Sequence, residues 1–272
     1  MNKSYDVIII GAGSVGNPTA LSLAQAGVRT LVIDRAPSPG QGSNKAAIGG
    51  IRATHSDPAK IRLGLRSLEI FSTLAEQYGD DIEWVQGGYQ YVAYREQEEK
   101  TFKELLKVQK SYGLNIDWLD REQMLAVTPD LNPDGLIGGT FSPGDGSASQ
   151  MLSGLAFYRH AKRLGAEFHF NETPTVIMVD GGKVKGVRTD KGEYAAPVVI
   201  NAAGAWAAGV AAMAGATVPV RPDCHEAAIT EPVAPFLKPM VVDIRANAVS
   251  ANYYFYQHKT GQIIFCITPS PS

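Results

Sequence analysis

The chain has 272 residues, 44% hydrophobic and 19% charged, with a formal net charge of −2. That is ordinary globular composition, long enough for one large domain or two smaller ones, and the charge balance offers no basic excess for nucleic acid. No run is long and apolar enough to span a bilayer, and the two cysteines, Cys224 and Cys266, form neither a C-x-x-C pair nor a zinc spacing, so no metal site is expected.

The N-terminus enters its first predicted strand within a few residues, which leaves no room for a signal peptide and makes a reducing, cytoplasmic setting the expectation. The stretch from Tyr5 to Arg35 organises the rest of the chain. Val7 to Ile10 are consecutive branched apolar residues, suited to a strand buried on both faces of a parallel sheet. Gly11, Gly13 and Gly16 come next at G-x-G-x-x-G spacing and open a helical run whose Ala20, Leu21, Leu23, Ala24 and Gly27 form one small apolar face. Val28 to Ile33 read as a second strand, closed by Asp34.

The residue types give this unit its chemistry. Gly11 permits a tight turn, Gly13 lets a pyrophosphate approach the backbone, and Gly16 lets the helix pack close to the strand. The helix N-terminus, with Ser14 in its turn, presents free N–H groups to the phosphates. Asp34 is placed to accept hydrogen bonds from a ribose diol and to repel a 2′-phosphate, although the adjacent Arg35 weakens that exclusion. A glycine triplet alone can be a chance turn; a strand before it, a helix after it and the acid at the next strand's end make a dinucleotide-binding fingerprint.

Residues 37–50 form a loop of small residues, which allows close approach to a bound group; a plain solvent loop is the other reading. Arg52 comes just after it and has the fork geometry for a carboxylate, although a surface arginine has the same local pattern. Asp57-Pro58 caps a predicted helix to Tyr78. Trp84 to Tyr94 reads as a strand, 96–112 as a charged amphipathic helix, and 119–127 as a short helix. Leu136 to Gln150 gives a strand, a turn at Gly144-Asp145-Gly146 and a helix start at Ser147 or Ser149; the turn either meets a ribityl or substrate group or simply caps the helix. Met151 to Leu164 is a helix and Glu167 to Asn171 a strand. The segments 175–180, 182–189 and 194–196 read as a β-meander. Val198 to Ile200 resumes the buried type of strand and runs into a small-residue helix. Residues 219–230 and 252–267 read as strands that could roof a substrate cavity.

With these motifs in place, the sequence resembles a known family. The N-terminal fingerprint, the SNKAAIGGIR loop, the QGGY strand, the SPGDGSAS turn and VVINAAGAWA occur in this order in FAD-dependent amine and imino acid oxidoreductases of the D-amino acid oxidase-like superfamily. The regions GGIRATHSDPAKIRLGLRSLEIF and HEAAITEP are most similar to β subunits of sarcosine oxidase and dye-linked L-proline dehydrogenase, with glycine oxidase a more distant relation.

The resemblance implies an α/β protein. A Rossmann-like FAD-binding domain with a β-meander would comprise 1–80 and 145–215, and an α+β substrate domain on an antiparallel sheet would comprise 81–144 and 216–272. Gly11, Gly13, Ser14 and Gly16 would bind the pyrophosphate of FAD, and Asp34 with Arg35 the adenosine end. Ser43, Asn44, Lys45, Ala46 and Ala47 would lie along the flavin, and Gly49, Gly50 and Ile51 would border its ring. Val176 would touch the adenine through its backbone, while Ala203, Gly204 and Trp206 would close over the dinucleotide. Arg52 would bind the substrate carboxylate, with His225 and Tyr254 on strands above the pocket. Asn44 and Lys45 replace the histidine that carries covalent flavin in some sarcosine oxidases, so FAD would be held noncovalently.

The resemblance also implies that family segments beyond Ser272 are missing, so that the chain is C-terminally truncated. It implies oxidation of the C–N bond of a small, N-methyl or cyclic amino acid by hydride transfer to flavin N5, with O2, a quinone or a partner subunit as electron acceptor. A hetero-oligomer is one implied assembly, cytoplasmic or, through a partner, peripheral to the inner membrane. The alternatives are an FAD-dependent monooxygenase, disfavoured because Ser, Ala and Ser succeed the Asp-Gly turn, and a noncatalytic dinucleotide-binding fragment. A disulfide reductase lacks its cysteine motif, and a plain NAD dehydrogenase would need an uninterrupted Rossmann sheet.

Overall fold

The branched apolar runs at 7–10 and 30–33 become the centre of a four-stranded, all-parallel sheet. The computed structural model describes residues 3–248 and 250–269, so Ser272, where the sequence places the break, lies outside the described residues. The sheet order is Val198–Asn201, Val7–Ile10, Thr30–Ile33, Glu167–His169. Val7 pairs with Val198 on one side and with Thr30 on the other. All four residues of each central strand are buried, as expected for strands covered on both faces.

These strands belong to the first of two compact units, Met1–Ala47 with Gln150–Asp223. Its helices Gly16–Gln25 and Gln150–Arg163 pack on each other. The predicted meander is present as Pro174–Asp180, Lys183–Thr189 and Glu193–Ala195, with Gly181 and Gly182 supplying the left-handed turn. Ile8, Ile10, Leu31, Ile33, Ile177 and Val187 form one core between the two sheets, and each such fully buried side chain stabilises the fold by about 1.5–3 kcal/mol.

The second unit comprises Ile48–Ser149 and Cys224–Ser272. Its seven-stranded mixed sheet runs Glu226–Ile229, Ile263–Pro269, Ser250–Gln257, Met240–Asp243, Tyr89–Ala93, Gly138–Ser142, Asp117–Asp120. One strand the sequence reading omits, Met240–Asp243, is fully buried and pairs in parallel with Tyr89–Ala93. The expected antiparallel sheet is therefore mixed at that one ladder. Asp57 caps the helix Pro58–Tyr78 by accepting from the Lys60 N–H, and Gly79 ends it in the left-handed conformation.

The boundary between units differs from the sequence expectation. Residues 48–80 cluster with the second unit, because the helix Pro58–Tyr78 contacts Gly50–Ile51 and Glu96–Ser111. Gly64 makes this fit: an added Cβ would lie 2.6 Å from the Arg52 carbonyl oxygen and the Ala53 Cα.

Candidate functional site

In the first unit, three backbone segments converge at the carboxyl end of the parallel sheet. Gly11 leaves its strand at φ 110°, a conformation that favours glycine, and its Cα lies against the Ala202 carbonyl. An added Cβ on Gly16 would collide with the Gly11 carbonyl oxygen, so helix and strand approach as the fingerprint requires. Gly13 differs, because an added Cβ there meets nothing within 4 Å. The chain needs no glycine at 13 for its own packing; the bare backbone faces open space. The helix beyond it has no side-chain cap and no acidic residue in its first turn, so its N-terminal dipole is left for an anion.

Asp34 does more than wait for a ribose. Its two oxygens accept from the Ala12 N–H at 2.7 Å and the Ala36 N–H at 2.8 Å, tying the glycine turn to the end of the second strand. Each carboxylate oxygen keeps lone-pair capacity for a diol. Gly40 donates to the Ala12 carbonyl at 2.8 Å, extending the same tie. Arg35 stacks on Trp206 with its guanidinium carbon 3.8 Å from the ring centroid, while half of the Trp206 surface is exposed. Ala203 and Gly204 enter a short 3-10 turn at the end of Val198–Asn201. The crevice between Val7–Ile10 and Val198–Asn201 is a topological switch point, since the chain steps outward from Val7–Ile10 through Thr30–Ile33 to Glu167–His169 and then adds Val198–Asn201 on the opposite side.

Ser43 to Ala46 form one 3-10 turn. Asn44 Nδ2 donates to the Gln150 carbonyl at 3.0 Å, and Gln150 Nε2 donates to the Lys45 carbonyl at 3.4 Å, so this loop is fastened to the helix behind it. Ala47 closes the turn with its N–H on the Asn44 carbonyl. Val176 sits in the meander beside a register shift, partly exposed and paired with Arg188. These residues fit an extended dinucleotide: a turn with room for phosphates, an acid at the ribose position, and small-residue backbone along the edge.

In the second unit, Gly50–Ile51 pairs antiparallel with Gly146–Ser147. Gly49, just before it at φ 87°, accepts from the Ala148 N–H at 2.9 Å. Gly50 lies so close to the Tyr89 hydroxyl that a side chain there would overlap it. Arg52 then donates from Nη1 to the Thr54 carbonyl and lies over the Tyr89 ring, 5.9 Å from its centroid. One of its five N–H groups is used in that hydrogen bond.

Tyr254 shares a cross-strand row with Val242 and Cys266, and Tyr91 extends the row on the next ladder. Burial pushes the Tyr89, Tyr91 and Tyr254 hydroxyls up, against the opposing pull of the Arg52 charge. Near neutral pH these groups are uncharged donors that feel the Arg52 charge.

The strand expected to carry His225 is corrected: it is confined to Glu226–Ile229. His225 stands one residue before this edge strand, in which every residue is exposed, and His225 is exposed too. The histidine beside Arg52 is His55, which sequence reading misses although it lies three positions on in RATHSD. The turn reading of Asp145 is also corrected: it is fully buried and bonded to Ala53 and Thr54, not to a helix start or an open ligand surface. The helix begins at Gln150.

A family model described as FAD dependent oxidoreductase matches residues 6–271. The chain belongs to this family. The dinucleotide is therefore FAD, and the plain NAD reading falls away. Sarcosine dehydrogenase, mitochondrial, of Mus musculus is 29% identical over 235 residues, spanning 84% of this chain and 26% of that protein. Glycine oxidase of Geobacillus kaustophilus is 29% identical over 251 residues, spanning 89% of this chain and 65% of that protein. The crystal structure of L-proline dehydrogenase from P. horikoshii superposes with a TM-score of 0.88 at 29% identity, covering all of this chain and 73% of that one. The chain thus spans about a quarter of the length of the sarcosine dehydrogenase it matches. Among the described residues, no helix is long and apolar enough to cross a membrane.

Proposed function

We propose that this family member oxidises the C–N bond of a small amino acid of the sarcosine, glycine or proline type. The observation that carries the reading is Arg52, a guanidinium with unspent donors among aromatic rings and neutral hydroxyls. Such a cation suits a carboxylate in fork geometry. The names of the similar sarcosine dehydrogenase, glycine oxidase and L-proline dehydrogenase support the substrate class.

Gly11, Gly13, Ser14 and Gly16 would hold the FAD pyrophosphate, and Asp34 and Arg35 the adenosine end. Val176, Ala203, Gly204 and Trp206 would contact the nucleotide, and Ser43 to Ala47 the flavin side. Gly49 to Ile51 would border the flavin ring. Bound noncovalently, FAD would supply the hydride acceptor at N5. The chain's own part is positioning and shielding. Arg52 fixes the substrate carboxylate; Tyr89, Tyr91 and Tyr254 supply apolar ring surface with hydroxyls that stay protonated. The substrate amine must be neutral, so that its lone pair forms the C=N bond as the α-hydrogen leaves with its electron pair. The imine hydrolyses, or persists as a ring if the substrate is proline. The electrons pass on to O2, a quinone or a partner subunit, and the similarity to sarcosine oxidase subunit beta of Arthrobacter sp supports a hetero-oligomer.

The test is anaerobic mixing of the full-length yellow protein with sarcosine, glycine or L-proline. Bleaching of the flavin absorbance without NADPH is expected for at least one of them. A flavin that none of the three reduces, but NADPH does, would replace amine oxidation with hydroxylation.

A further inference from the structure

Asp145 is a buried carboxylate that the reaction itself does not use. It has no solvent exposure, and an isolated charge in such a place is costly unless hydrogen bonds or an opposite charge offset it. The offsets come from one segment. Oδ1 accepts from the Ala53 N–H at 3.0 Å; Oδ2 accepts from the Thr54 hydroxyl at 2.5 Å and, more weakly, from the Thr54 N–H at 3.4 Å. The ladder places this contact: Ile51 pairs with Gly146, so the next position along sets Asp145 opposite Arg52. Burial raises the Asp145 pKa, and the bonds from Ala53 and Thr54 with the Arg52 charge pull the other way.

The same segment carries Arg52, whose Nη1 donates to the carbonyl of Thr54. Thr54 is therefore gripped on one side by Asp145 and grips Arg52 on the other. Behind it, Gln109 Nε2 donates to the His55 carbonyl at 3.0 Å, and Gly64 closes on the Ala53 backbone. We propose that Asp145, acting through Thr54, is the positioning residue that orients Arg52 for a substrate carboxylate. The proposal rests on the carboxylate reading of Arg52 given above.

Its sign distinguishes it from a bulk charge effect. Removing a negative charge near Arg52 would strengthen anion binding if electrostatics alone mattered. Loss of orientation weakens it. In Asp145→Asn the amide NH2 faces either the Ala53 N–H, donor against donor, or Thr54, whose hydroxyl must then turn round and accept while its N–H meets a donor; in both cases the charge-assisted grip on Thr54 is lost and its carbonyl is freed to shift.

The measurement is calorimetric binding of cyclopentanecarboxylate and cyclopentanecarboxamide, which lack an amine to oxidise, to the full-length flavin-loaded protein. Wild type is expected to prefer the carboxylate, and Arg52→Met to lose the preference. Asp145→Asn should cut the preference about tenfold, and Thr54→Val by a smaller factor of about three, with carboxamide binding unchanged in both. Thr54→Val alone decides if Asp145→Asn does not fold. A preference that Arg52→Met abolishes but that Asp145→Asn and Thr54→Val leave intact or increase overturns the positioning role. A preference that survives Arg52→Met overturns the carboxylate reading beneath it, and the proposal with it.

Discussion

The two candidate regions hold their key atoms by opposite means. In the first unit the turn from Gly11 to Gly16 is shaped by missing side chains, and backbone meets backbone at Ala202 and at the helix start. In the second unit the segment from Arg52 to His55 is shaped by side chains brought from afar: Asp145 lies 92 positions from Ala53, and Gln109 lies 54 from His55. A site built by omission is written locally and recurs as a motif. A site built by contact depends on the whole sheet for its position. Asp34 belongs to both kinds, since it is local to the motif yet also ties the turn down through Ala12 and Ala36.

The sharpest way to break the comparison lies within the glycine turn. A Cβ on Gly16 would run into a backbone oxygen, whereas one on Gly13 meets nothing within 4 Å. Gly16→Ala should therefore destabilise the protein even without flavin, by about 3 kcal/mol or roughly 6–10 °C of Tm. Gly13→Val should leave the flavin-free Tm nearly unchanged and still lose the yellow cofactor, because the new side chain occupies the diphosphate's space. Thermal unfolding and flavin absorbance after purification read the two effects separately. A Gly13→Val protein as yellow as wild type would remove that residue from the FAD site.

This contrast also explains how much of the molecule is legible in its sequence. The parallel strands, the turn, the meander and the cap at Asp57 are readable because each is specified within a few residues by apolar runs, glycine spacing or a capping side chain. Met240–Asp243 is not: Met240, Val241 and Val242 are an apolar run of three without alternation or a turn signal, followed by a buried Asp243, in a stretch rich in proline. Its place in the sheet depends on pairing with Tyr89–Ala93, about 150 residues away. A strand reading carries His225 into the sheet, yet the strand starts only at Glu226 and, among the described residues, pairs on one side alone, with Ile263–Pro269. Asp145 sits in a turn-like Gly-Asp-Gly sequence, and only the ladder to Gly50–Ile51 shows that it faces the loop after Arg52.

A middling effect is expected in the second unit at Gly64. Alanine there gains about 1 kcal/mol of helix propensity. The new Cβ, however, falls 2.6 Å from the Arg52 carbonyl and Ala53 Cα, backbone atoms that cannot swing aside. A net loss of about 1–2 kcal/mol is expected, with apparent substrate affinity falling because the Arg52 segment shifts. An unfolding curve combined with KM and kcat measured on the full-length enzyme checks it. A stabilised Gly64→Ala protein with unchanged KM would show that the segment is less tightly constrained than the buried contacts imply.

The smallest effect concerns His55, and its surroundings set the sign. Burial is the main cause that pushes the imidazole down to about 4 from its ordinary 6.5, with the charges of Arg52 and Lys60 adding to it and a backbone bond at Arg52 and the Asp57 charge opposing. Between those two values the unfolded chain binds a proton that the folded chain does not, so stability rises with pH across the window and is lost as pH falls toward 4. Asp145, whose pKa is raised, tilts the other way, but it is present with or without His55 and largely cancels from the difference. His55→Gln should therefore lower Tm less than wild type does on going from pH 7 to about pH 5. Parallel pH profiles for the two proteins would mean that the folded chain accepts the proton at His55, and that the Arg52 neighbourhood is more open to water than its buried Ala53 and Thr54 indicate.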